Sequence, residues 1–166
     1  MPDDERDGGR DLADRRRLEG DFMLAMRRTS SLMQLMSQAA AERLGINVTD
    51  LNCLNVVALT GSMTAGELAR ATGLTTASIT GVLDRLEESG FIRRERDSRD
   101  RRKVIVTLSF SRRAQDIAPV FAPLVRSWRA TAARYTAEEL RVLVGFQLEI
   151  EQILRDQLAR LRAGLP

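Results

Sequence analysis

Histidine is absent from the 166 residues, and cysteine and lysine occur once each, at Cys53 and Lys103. Acid–base catalysis would then fall to carboxylates or to that one amine. Nucleophilic catalysis would fall to a thiol with no basic neighbour in sequence to lower its pKa. No glycine-rich phosphate loop and no metal-ligand cluster appears. The chain is therefore expected not to be an enzyme and to use no cofactor or metal. A lone cysteine excludes an intramolecular disulfide. The start of the chain lacks the apolar core of a signal peptide, and no stretch approaches the roughly eighteen apolar residues of a membrane span. These absences predict a soluble, cytoplasmic protein with no membrane partner.

Charge is plentiful but unevenly placed. The net charge is +3 and the sequence pI near 9.9, yet residues 1–21 hold eight acids against five arginines. Arg93 to Lys103, in contrast, carries seven basic and three acidic residues, net +4 within eleven positions. A positive field concentrated in this way favours polyanions such as nucleic acid. The length is that of about one domain, enough to bury roughly 70% of the surface of the unfolded chain.

Residues 61–109 carry the densest local signals. Thr64 and Glu67 form a capping box, so a helix starts at Ala65, buries Leu68 and Ala69, and stops near Gly73. Thr75 caps a second helix, whose Ile79, Val82, Leu83 and Leu86 recur at i, i+3, i+4 and i+7, and Gly90 ends it. Two helices joined by a short glycine-containing turn make a helix-turn-helix, in which the second helix enters the major groove N-terminus first. Its groove candidates are Thr75, Thr76, Ser78 and Thr80. Hydroxyls there also cap the helix, a role Thr75 has in any case, and they carry little base information singly, so phosphate contacts and shape readout share the specificity.

Beyond Gly90 the period falls to two. Val104, Val106 and Leu108 alternate with Ile105 and Thr107, and Phe91 to Arg96 supplies an antiparallel partner strand. Ser62-Met63 is a candidate third strand. The hairpin tip, Asp97 to Lys103, is the basic run, and the expected fold is mainly α with a small β wing. A wing beside a recognition helix overlies the neighbouring minor groove, where inserted arginine meets enhanced negative potential. Arg99, Arg101, Arg102 and Lys103 are therefore DNA candidates, Arg93 and Arg94 weaker ones. Arg85 either pairs with Glu88 or reaches a phosphate.

The rest of the chain reads as helix. Residues 1–17 lack aromatic and β-branched residues and are expected to be a disordered tail. From Leu18 to Leu44 the positions Phe22, Met26, Thr29, Met33, Met36 and Ala40 recur at three- and four-residue steps. Thr49 is the expected cap of the next helix, with Leu51, Leu54, Val57 and Ala58 facing inward. After the wing, Ser109 or Ser111 should cap a helix bearing Ile117, Val120, Phe121, Leu124, Val125 and Trp128, with Pro119 and Pro123 kinking or breaking it between Ala118 and Leu124. A second capping box, Thr136 with Glu139, opens a last helix whose stripe runs from Leu140 through Val144, Ile150, Leu154 and Leu158 to Leu161. The division is thus a tail at 1–17, a helical dimerisation region at 18–46 and 110–166, and a winged helix-turn-helix at 47–109. One small domain cannot cover the apolar faces of such long terminal helices, but a second copy can. Two-fold pairing also spaces two recognition helices for a palindromic operator in double-stranded DNA, with half-sites roughly 34 Å apart.

The strings TAGELARATGL, TTASITGVLDRLEESGFIRRERD and DRRKVIVTLS resemble the MarR family of bacterial transcription regulators over most of the chain. The most specific piece is Asp100 to Ser109, preceded by Asp84 to Phe91. The chain departs from the family at Gly81, where many relatives carry a basic or bulky residue. The resemblance implies a homodimeric DNA-binding regulator, a repressor released by a small effector, with Arg102 entering the minor groove and Asp100 orienting it by a charge-assisted pair. It also implies an effector pocket for a small apolar or aromatic ligand, to which Met26, Met33, Phe121 and Trp128 are assigned, although the methionines read equally as adaptable packing. Cys53 reads as a buried thiol rather than the redox switch of some relatives. Two alternatives stand beside this reading: a winged helix used for protein contacts, which would not need four basic residues at its tip, and a regulator with no effector.

Overall fold

The structure is a computed structural model, which describes residues 4–97, 100, 103–109 and 116–164, the side chains of 4–10 apart. The chain forms two compact units, Met1–Val120 and Phe121–Pro166. Helix α1 (Asp4–Leu44) leads to α2 (Val48–Thr60), strand β1 (Ser62–Thr64), α3 (Ala65–Thr72) and α4 (Thr76–Glu88). Strands β2 (Ile92–Arg96) and β3 (Val104–Leu108) follow, then α5 (Ala118–Ala132) and α6 (Ala137–Arg162).

The first unit closes its core around α2, α3, α4 and the sheet. Cys53, Leu54, Val57, Leu68, Ile79, Val82, Leu83, Leu86, Phe91, Ile92, Val106 and Leu108 form one buried cluster. Each large aliphatic side chain enclosed this way stabilises the fold by about 1.5–3 kcal/mol relative to exposure. The i, i+3, i+4, i+7 stripe of α4 is the inward face as expected, all four of its residues being buried. In α2, Leu51, Leu54 and Val57 are inside, whereas Ala58 is exposed and Cys53 takes an inward position.

Local chemistry sets the boundaries. The Thr64 hydroxyl accepts from the Glu67 amide, and the Glu67 carboxylate accepts from the Thr64 amide at 2.7 Å, so the capping box is complete. Gly73 at φ 72° closes α3 in the left-handed conformation. At the end of α4, Gly90 takes φ 73°, letting the Phe91 amide donate to Leu86 and the Gly90 amide to Glu87, each at 2.9 Å. Those two bonds, with Phe91 packed beside Leu86, are a Schellman stop, and they aim the chain into β2.

The three-stranded antiparallel sheet has the order β1-β3-β2. Ile92 pairs with Leu108, Arg94 with Val106 and Arg96 with Val104, while Met63 meets Val106 from the other side. The third strand expected at Ser62-Met63 is thus present and one residue longer.

Three expectations need correction. The tail expected at 1–17 is helical from Asp4 onward, continuous with α1. A segment too polar to fold alone still propagates a helix begun elsewhere, since each added residue gains a backbone bond without a new nucleus. An i, i+4 ion pair between Arg15 and Glu19 reinforces it. The cap of α2 is Asn47, not Thr49: the Asn47 side chain accepts from the Asp50 amide at 2.8 Å. Finally, of the kink or break expected between Ala118 and Leu124, the break is absent: α5 is one helix across Ala118–Ala132 with Pro123 inside it. Pro119 lies directly after the π-helical Asp116 and Ile117, a widened turn of the kind that accommodates a missing amide. The Ser109 amide donates to Phe91 at 2.9 Å, extending the β2–β3 ladder, and both Ser111 and the amides that either serine would cap lie outside the described residues.

In the second unit the Thr136–Glu139 capping box is complete, with the Glu139 carboxylate accepting from the Thr136 amide at 2.7 Å. Neither α5 nor α6 holds a buried residue.

Candidate nucleic-acid interface

The outward side of α4 is built by subtraction. Ile79, Val82, Leu83 and Leu86 turn to the core, which leaves Thr76, Ala77, Ser78, Thr80, Asp84, Arg85 and Glu88 exposed. Thr75 caps the helix, accepting from the Ser78 amide at 3.2 Å, and its hydroxyl lies 2.9 Å from that of Ser78. The Thr80 hydroxyl donates to the Thr76 carbonyl at 3.0 Å. Thr75, Ser78 and Thr80 are thus each held by hydrogen bonds within the helix start, and Thr76 stands exposed at the first helical position.

Arg85 does not pair with Glu88. Its Nε and Nη2 donate to the two oxygens of Asp50 at 2.9 and 2.6 Å, a fork-to-fork bridge from α4 to the first turn of α2. Asp50 is 2% exposed and also accepts from the Asn47 side-chain amide at 2.9 Å. It is the one charged residue buried among the described residues. The bridge raises the Arg85 pKa above its ordinary value, the hydrogen bonds to Asp50 being the main cause.

Arg94, a weaker candidate for the DNA backbone, is committed elsewhere. It bridges Asp84 at 2.7 Å and Glu87, the latter also accepting from the Arg94 backbone amide. Hydrogen bonds from the Arg94 side chain are the first cause of the lowered Glu87 pKa. The C-terminal half of α4 is thus tied to α2 on one flank and to β2 on the other. Arg93, its neighbour, points to solvent.

At the wing, the Asp97 amide donates to Lys103, the Lys103 amide to Asp100, and the Asp100 amide to the Asp97 side chain. Lys103 is exposed and shares a cleft of about 400 Å³ with Arg70 and the first turn of α3. Arg99, Arg101 and Arg102 lie outside the described residues, so the Asp100–Arg102 pair does too.

The remaining candidates fall in separate units. Met26 is half-buried and Met33 exposed on α1 in the first, Phe121 half-buried and Trp128 exposed on α5 in the second. Cys53 is fully enclosed, and burial, followed by the nearby Asp50 charge, pushes its thiol up to about 11. A thiol raised in this way is mostly protonated at neutral pH.

Asp50 and Glu87 escaped the reading of the sequence. The first had a signal: Asn47-Val48-Thr49-Asp50 places a cap residue three before an acid. Thr49, adjacent to the apolar run, obscured it. Glu87 has no local signal, because its partner lies across the turn in β2.

A helix-turn-helix followed by a basic two-stranded wing defines a winged-helix DNA-binding protein. The MarR family model matches residues 46–104. The chain is 39% identical over 149 residues, 89% of its own length and 96% of the other's, to the uncharacterized HTH-type transcriptional regulator YcgE of Bacillus subtilis. Two solved structures share the fold. One is a MepR mutant from a multidrug resistant S. aureus clinical isolate (TM-score 0.67, 17% identity, 80% of this chain and 96% of that one). The other is a S. aureus MepR mutant bound to an oligodeoxyribonucleotide (TM-score 0.53, 19% identity, 80% and 97%). The chain belongs to the MarR family and is a DNA-binding transcription regulator. Its family and relatives are regulators, not enzymes, and no helix among the described residues is long and apolar enough to cross a membrane.

Proposed function

We propose that the chain acts in the cytoplasm as a homodimeric repressor that reads a palindromic operator and releases it when a small apolar or aromatic effector binds. The observation that carries this is the exposed outer side of α4, with Thr75, Thr76, Ser78 and Thr80 at its N-terminal end, beside a wing of high positive charge. Thr76, Ser78 and Thr80 meet base edges and phosphates in the major groove while Thr75 orders the first turn. Arg99, Arg101, Arg102 and Lys103 follow the phosphates past the groove edge, and Arg102 enters the minor groove with Asp100 orienting it. The exposed apolar residues of α1 and α6 support pairing with a second copy. An effector would act by favouring a spacing of the two recognition helices that does not fit the operator.

The test is fluorescence anisotropy on DNA flanking the protein's own gene, against scrambled competitor, over a salt series. Competitor-resistant binding with a steep negative salt slope is expected. Arg102→Ala should weaken it by about 1–3 kcal/mol. Unchanged affinity would remove Arg102 from the interface, and no binding even at low salt would favour a winged helix used for protein contacts.

A further inference from the structure

We propose that Arg85 is a phosphate clamp on the flank of the recognition helix, aimed by the buried Asp50 carboxylate and left uncovered by Gly81. This rests on the reading of α4 as the groove helix, and it gives Arg85 a defined geometry and Asp50 and Gly81 a role.

Within Thr76–Glu88 there is a single cation, Arg85, and three acids, Asp84, Glu87 and Glu88. Of the acids, Asp84 and Glu88 stand exposed in the C-terminal half, Asp84 paired with Arg94. Ala77, Ser78, Gly81 and Arg85 form a stretch of the outer side that carries no acid. Those four residues, with Asn47, Thr49, Leu74 and Val82, line one open cleft of about 410 Å³ between α4 and the start of α2.

Geometry then selects the donor. The bridge to Asp50 employs Nε and Nη2. The remaining nitrogen, Nη1, faces Gly81: a Cβ added to that glycine would stand 3.5 Å from it. The guanidinium plane is fixed by two bonds to a carboxylate that is itself held by Asn47, yet the side chain is 52% exposed. A cation fixed by a buried acid, half in solvent and at the edge of a cleft lined by hydroxyls, is preorganised for an oxyanion. Glycine inside a helix costs about 0.5–1 kcal/mol relative to alanine, so its presence here calls for a reason. Access to Nη1 supplies one.

Asp50 is on this view a positioning residue, and the test separates positioning from stability. Affinity and salt slope for the operator are measured by anisotropy, and stability by thermal melting, for the full-length protein and its variants. Arg85→Met should lower affinity roughly tenfold and flatten the slope of log affinity against log salt by about 0.9, the signature of one lost phosphate contact. Gly81→Ala should melt at the same temperature or higher while binding DNA more weakly, and it should cause no further loss in an Arg85→Met background. Asp50→Asn, which keeps shape and removes charge, should likewise weaken binding in the parent and not in Arg85→Met. Should Asp50→Asn fail to fold, the Gly81 and Arg85 pair decides alone. Specific binding by the parent with an unchanged slope in Arg85→Met would overturn the clamp and leave the groove helix standing. An equal loss from Gly81→Ala in both backgrounds would also overturn it, since the glycine would then serve its own close approach to DNA. A parent that binds no DNA at low salt overturns both readings together.

Discussion

The winged unit and the last two helices are written in the same alphabet and end up with different fates. Both have apolar residues at helical spacing and both start a helix with a complete capping box. Yet every buried side chain among the described residues lies between Ala40 and Leu108, and none lies on α5 or α6. Val142, Leu143, Val144, Leu148, Ile153, Leu154 and Leu161 remain about half exposed or more. The difference is one of closure. In the winged unit, helix stripes and strand alternation converge on one volume, so that Leu86 on α4, Phe91 after its stop and Val106 on the central strand share a cluster. Periodicity specifies which side of a helix is apolar, whereas the number of elements folded against it within one chain decides whether that side is covered.

The largest expected effect tests the closed region. Phe91→Ala, at a side chain 1% exposed, should lower stability by about 3–5 kcal/mol in urea denaturation followed by circular dichroism. Leu154→Ala, at a side chain 62% exposed, should change the same unfolding transition by less than about 0.5 kcal/mol in dilute protein. Equal costs at the two sites would break the comparison and show that α6 is already covered in the folded single chain.

The next effect tests what covers the open region. In a homodimer, Leu143→Glu combined with Leu154→Glu should halve the mass seen in sedimentation. Binding to an operator with two half-sites should fall by at least about 100-fold, because the second recognition helix is then no longer tethered. The core of the winged unit should remain folded, as judged by slow labelling of the buried Cys53 thiol. A variant that still sediments at the parent mass would show that these two leucines are not what a second copy covers.

This division also explains how much was legible beforehand. The winged unit could be read almost residue by residue, because its signals are local: the Thr64–Glu67 reciprocal bonds span three residues, the α4 stripe eight, and the β3 alternation five. What escaped was non-local. Asp50 and Arg85 meet across 35 residues, and nothing in the spacing of either pointed to the other. The helical start of α1 escaped for the opposite reason. A test of whether residues 1–17 could bury enough surface asks the wrong question of a segment that only has to continue a helix. At the site, the hydroxyls of α4 were found by their position at a cap and Arg85 by its charge. The bond that fixes Arg85 needed the fold.

The smallest effect uses the device that the two regions share. Removing a cap hydroxyl costs about 1 kcal/mol where the helix it starts is part of a cooperative core. Thr64→Ala should therefore shift the global unfolding transition by about that amount, whereas Thr136→Ala, in a unit with no buried residue on its helices, should increase fraying at the start of α6 and leave the transition in place. Acid offers a second view of the same pair. Glu67 and Glu139 both have their pKa values held below the ordinary 4.5, in each case first by the backbone amide of the capping threonine. A depressed carboxylate pKa adds stability that is present above the ordinary value and lost as pH falls through the folded one. The difference between parent and Glu67→Gln should accordingly be largest at neutral pH and close as the pH drops below about 4.5, read from the unfolding transition. For Glu139→Gln the same closing should appear only in amide exchange at the first turn of α6. A Glu139 effect on the global transition as large as that of Glu67 would mean that α6 folds together with the winged unit even without a second copy.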